Sequence, residues 1–188
     1  MENQPLKSRL LQLVTVLVAF GFCSIAQAQV NNYPVQIQVN NVETELLVVE
    51  KGRCSSNNHK GCIEVPQGKK ARIKFSLDDK QCKKPDGVKW EMGEVYLGGK
   101  NSSSKPAPSD WGNLDPEVEA DFNVADVITG RLNKESGSNK NSIVIFDENL
   151  ALVEYDIWYK VTAVCVDRNG KELEELETDP RIKNGGTF

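Results

Sequence analysis

A single histidine, His59, bounds the chemistry this chain can do. Blue-copper sites take two imidazoles with a thiolate, and catalytic zinc sites take two or three nitrogen or carboxylate ligands, so neither can be built around one ring. Cys54, His59 and Cys62, with Cys82 as a fourth donor, have the composition of a Cys3His zinc site, but thiols in an oxidising compartment are more often bridged. A Ser-His-Asp triad would draw on the same histidine, here in a polar loop and without the Gly-x-Ser-x-Gly turn that exposes a hydrolase nucleophile. Residues 93–100 look briefly like a phosphate loop, but the spacing to Lys100 is one residue too long and Asn101 stands where Ser or Thr is required. Asp115, Glu117, Glu119 and Asp121 recur at every second position, which in an extended chain puts four carboxylates on one face. Calcium would suit such a cluster, and a solvated strand face is the plainer reading. Nothing selects a pair of acids for glycoside hydrolysis. These residues supply no catalytic set and imply no cofactor and no metal.

The candidate contacts are of a different kind. Lys69, Lys70, Arg72 and Lys74 alternate partly along one strand, and Lys80, Lys83, Lys84 and Lys89 follow closely. Clustered positive charge on an acidic domain draws anionic surfaces, although lysines also blunt edge strands or pair with acids elsewhere in the chain. Trp111 lies in a Ser- and Pro-rich stretch, where an indole packs on a partner or caps the edge of a sheet. Lys80, Lys83, Lys84 and Trp111 are therefore the candidate partner-binding residues. Trp90, Tyr96, Tyr155, Trp158 and Tyr159 fall mostly where alternation expects a core.

The N-terminus sets the compartment. Lys7 and Arg9 precede the apolar run 10–22, and Ala26-Gln27-Ala28 follows as a small-residue cleavage site, the pattern of a secretory signal peptide over residues 1–28. The run is too short to be a permanent span, so no membrane span is expected once it is removed. Cys23 raises a lipid anchor as an alternative, but Phe22 stands where such sites want a small residue. Without Glu2, Lys7 and Arg9 the balance is 26 acidic against 21 basic residues. Residues 51–100 are rich in lysine and residues 101–188 in carboxylates, a distribution unlike that of a nucleic-acid binder. Cys54, Cys62, Cys82 and Cys165 remain, an even number that predicts two disulfides. Of the three pairings, the turn-rich segment between Cys54 and Cys62 favours a local bridge there, leaving Cys82 with Cys165.

Strand signals dominate the rest. Alternation predicts strands over 33–39, 44–50, 71–77, 88–97, 118–124, 142–146, 152–166 and 171–177, with a single helical turn near 123–127. In 88–97, Trp90, Met92, Glu94 and Tyr96 are expected on one side and Val95 and Leu97 on the other. In 152–166, Tyr155, Ile157, Tyr159, Val161, Ala163 and Cys165 share a face. Asp167-Arg168-Asn169-Gly170 supplies hairpin chemistry, and 98–114 is the longest loop. One domain, 29–188, folded as an all-β, antiparallel immunoglobulin-like β-sandwich, fits the length and spacing.

The C-terminal strand 159–166, its hairpin and the tail Thr178-Asp179-Pro180-Arg181-Ile182-Lys183-Asn184 resemble the ending of small bacterial immunoglobulin-like domains of the DP-EP type. The resemblance covers about the last thirty residues and implies the fold alone. The expected function is that of an exported, non-enzymatic binding or structural module, periplasmic or secreted, whose loops at one sandwich end contact an unknown protein or an anionic envelope surface. A small-ligand or metal carrier, or an unrecognised envelope enzyme, is the alternative.

Overall fold

Alternating apolar and polar residues become two sheets in the computed structural model, which describes residues 29–40, 43, 45–48, 54, 61–78, 81–98, 111–178 and 181–184. The smaller sheet has the order β2 (Leu46–Val48), β1 (Val30–Val39), β4 (Lys70–Leu77), β8 (Ser142–Asp147). The larger runs β3 (Ile63–Val65), β11 (Arg181–Asn184), β9 (Tyr155–Val166), β5 (Lys89–Gly98), β7 (Arg131–Leu132), β6 (Val124–Asp126), with β10 (Glu172–Thr178) also on β9. The protein is thus all-β and two-layered. The antiparallel expectation needs correction at two seams: β1 runs parallel to β4, and β3 parallel to β11.

Each layer turns its apolar face inward. Strand β4 alternates without a fault, burying Ala71, Ile73, Phe75 and Leu77 and leaving Lys70, Arg72, Lys74 and Ser76 outside. Across the interior β9 contributes Tyr155, Ile157, Tyr159, Val161, Ala163 and Cys165, the face expected from alternation. The rings of Phe75 and Tyr159 meet between the layers at 5.2 Å. Tyr159 is wholly buried and donates its hydroxyl to the Gly61 carbonyl at 2.6 Å, and burial holds that phenol well above its ordinary pKa. The Asp167–Gly170 turn forms as expected, with Gly170 at φ 79° and its N–H on the Asp167 carbonyl.

Strand β5 departs from simple alternation. A bulge between Met92 and Val95 moves Trp90, Met92, Val95 and Leu97 to the core and sends Tyr96 outward, opposite to its expected side. Gly93 makes this possible: a Cβ there would sit 2.2 Å from the Thr162 hydroxyl. That hydroxyl accepts the displaced Glu94 N–H at 2.9 Å, so this amide keeps an acceptor despite the bulge.

The stretch 118–124 also differs from expectation. Residues Pro116–Asp121 form the helix α1, with Pro116 in the first turn, two early carboxylates suited to the N-terminal dipole, and Val118 and Asp121 buried at an i, i+3 spacing. The turn expected near 123–127 is instead mostly β6. The strand expected from 152 begins only at Tyr155.

Both disulfides join the expected partners, Cys54 with Cys62 and Cys82 with Cys165. The second ties the segment before β5 to the end of β9, where Trp90 lies opposite Cys165 in register.

Candidate functional site

The three described candidate contact residues, Lys83, Lys84 and Trp111, do not form one surface. Lys80 lies outside the described residues, as does His59. Lys83 is exposed, and its backbone N–H is held by the buried Glu43 carboxylate at 3.0 and 3.1 Å. The same carboxylate accepts the Trp90 indole N–H at 3.3 Å. The Lys84 ammonium reaches Glu174 at 2.7 Å. Its neighbour in the cluster, Lys89, pairs with Glu91, which Lys140 also reaches; burial pushes the Glu91 carboxyl up, but the two lysines outweigh it and hold it below its ordinary value. Lys70 pairs with Glu148. Much of this basic segment is therefore matched by acids from elsewhere in the chain, which weakens its field toward a partner.

Trp111 sits elsewhere, over the outer face of the large sheet. Its ring lies 5.2 Å from the Lys160 ammonium, and the Tyr96 ring meets the same ammonium at 5.1 Å. Glu177 approaches it at 3.2 Å. Burial, and then Glu175 and Glu94, raise the Tyr96 phenol above its ordinary pKa. Lys160 and Cys165 are five residues apart along β9, about 16 Å at strand spacing, which separates Trp111 from the segment carrying Lys83 and Lys84. Half-buried, Trp111 closes a local cation–π stack rather than reaching into solvent.

A cleft of about 700 Å³ opens beside the Cys82–Cys165 bridge, between residues 81–88 and the Asp167–Lys171 turn. Its wall is mainly polar, and Asp167 is committed to the turn, accepting the N–H groups of Asn169 and Lys171. Small-molecule sites are more apolar and more enclosed.

The remaining feature was not anticipated. The four acids 115–121 do not share a face: in the helix Glu117 and Glu119 point to solvent, while Asp121 is completely buried. Asp121 Oδ1 accepts the backbone N–H of Leu150 and, at 2.8 Å, of Ala151, and Oδ2 accepts the Tyr155 hydroxyl at 2.5 Å. The Asp121 carbonyl takes the Glu148 N–H at 2.8 Å. Asn149, in a left-handed conformation at φ 48°, donates its amide to the carbonyls of Pro66 and Lys69. The β8–β9 connection, 148–154, is thus fixed from both layers. It buries Ala151 and leaves Leu150, Leu152 and Val153 exposed at 55%, 73% and 53%. No group of three metal-ligating side chains is placed together among the described residues.

No family model matches the chain, and no curated protein matches it significantly. The site must be read from its own chemistry. A backbone held at 148–151 places three exposed aliphatic residues, Leu150, Leu152 and Val153, within four positions of one loop.

Proposed function

We propose that the protein is an exported, non-enzymatic binding module, periplasmic or secreted, that makes its contact through the 148–154 loop at one end of its sandwich. The observation that carries this reading is the loop itself. Exposed aliphatic side chains are ordinarily scattered; here three fall within four positions, and a buried carboxylate gathers the N–H groups of Leu150 and Ala151 among them. Export is supported by the charge, apolar run and Ala-x-Ala pattern of residues 1–28, and by two disulfides, which persist in oxidising compartments.

An immunoglobulin-like topology belongs to the same proposal. Its support is the sharing of strands between layers, with β4 and β8 paired in one sheet and β5, β9 and β10 in the other, and a buried Trp90 on β5 near a bridged cysteine of β9. The parallel β1–β4 seam is a departure from that pattern.

The test is retention of residues 29–188 on an immobilised native envelope fraction. Replacing Leu150, Leu152 and Val153 together with Ser should abolish retention while leaving the unfolding midpoint nearly unchanged. Retention equal to that of the unaltered chain would refute the assignment of the loop.

A further inference from the structure

The nature of the occupant can be argued further, on the premise that the 148–154 loop is the contact surface. Its three exposed side chains are aliphatic and offer no aromatic or arginine anchor of the kind that concentrates energy at protein interfaces. They present a few hundred square ångströms at most, well below the roughly 800 Å² that each partner of a stable protein complex contributes. A hydrocarbon phase needs neither anchors nor shape complementarity. It favours backbone polar groups that are already satisfied, as the N–H groups of Leu150 and Ala151 are by Asp121.

Position and charge point the same way. Val30, the first residue of β1 and 43% exposed, lies opposite Lys70 in register. The Lys70 ammonium pairs with Glu148, two residues before Leu150. The exposed Val30 is therefore on the same side as the loop. With Glu148 paired, the loop's remaining charge is the exposed Glu154, which disfavours an anionic surface.

We infer that the loop inserts Leu150, Leu152 and Val153 into the headgroup–acyl boundary of a lipid bilayer of zwitterionic character, making the protein a peripheral membrane binder. Insertion driven by aliphatic burial is insensitive to salt, unlike attraction to anionic lipid.

Flotation of residues 29–188, which contain every described element, with phosphatidylethanolamine–phosphatidylcholine vesicles tests this. The protein should float with the vesicles at low and high salt alike, and phosphatidylglycerol should not strengthen binding. A Leu152→Ser, Val153→Ser variant, confirmed folded by its unfolding midpoint, should partition at least about tenfold less. A chain that fails to float, or a serine variant that floats equally well, overturns the inference. If the chain fails to float and the loop variant nevertheless loses retention on detergent-extracted envelope protein, the partner is a protein and the loop assignment stands. If the variant is retained there as well as the unaltered chain, both readings fall.

Discussion

Replacing Asp121 with Ala strands three donors at once in a site closed to solvent: the N–H groups of Leu150 and Ala151 and the Tyr155 hydroxyl. A buried donor left without an acceptor costs about 1–3 kcal/mol, so even with partial relaxation the loss should be about 3–5 kcal/mol. At about 2–4 °C per kcal/mol for a domain of this size, the thermal midpoint should fall by roughly 6–20 °C. Asp121→Asn keeps a carbonyl for the two amides and turns an NH2 toward Tyr155, whose hydroxyl can accept it. What is lost is mainly the assistance of the charge, about 1–2 kcal/mol. Tyr155→Phe should cost about 1 kcal/mol. Urea unfolding of residues 29–188 gives all three values, and native-state hydrogen exchange should show the Leu150 and Ala151 amides losing protection in the alanine variant. Asn as damaging as Ala, or Ala within about 0.5 kcal/mol of the unaltered chain, would refute the reasoning.

Non-reducing peptide maps of folded protein should contain the pairs Cys54–Cys62 and Cys82–Cys165 and no free thiol among these four. Replacing both members of the long-range pair, 83 residues apart, should lower stability by about 4.5 kcal/mol, against about 2.5 kcal/mol for the pair 8 apart, from loop-closure entropy. Gly93→Ala should lower stability by about 1–3 kcal/mol, because its Cβ collides with the Thr162 hydroxyl; in a double-mutant cycle, adding Thr162→Ala should restore part of that loss. Burial raises the Tyr159 phenol above its unfolded value of about 10, so its contribution is fully present below about pH 10 and is lost as pH climbs toward the folded value, since only the unfolded chain ionises readily. Stability measured from pH 8 to 11 should fall at the alkaline end, and Tyr159→Phe should flatten that fall; an equally steep fall in the variant would exclude Tyr159 as its source.

Legibility followed the range of the interaction that decides each element. The core face of β9 could be read residue by residue, because Tyr155, Ile157, Tyr159, Val161, Ala163 and Cys165 fall at every second position, and the Asp167–Gly170 turn because its chemistry is local. The outward placement of Tyr96 could not, since it follows from a bulge that needs Gly93 and the Thr162 hydroxyl together, 69 residues apart in sequence. The parallel seams were hidden for the same reason: nothing local in β1 says that it will lie beside β4. Asp121 looked like its three acidic neighbours, and only the helix that turns it inward distinguishes it. Leu152 and Val153 have the apolar character of strand residues, but β9 begins only at Tyr155, after the preceding amides have been captured by Asp121.

The seam between β3 and β11 has a consequence for the order in which the molecule can be made. Ile63 pairs with Ile182, so a strand has its in-register neighbour 119 residues further along the chain. Strand β9, which holds β5 along one edge, needs β10 and β11 to cover the other. The large sheet therefore cannot close until β11 is in place. Long-range pairings of this kind make folding slow, because the entropy of closing the intervening chain must be met before the pairing rewards it.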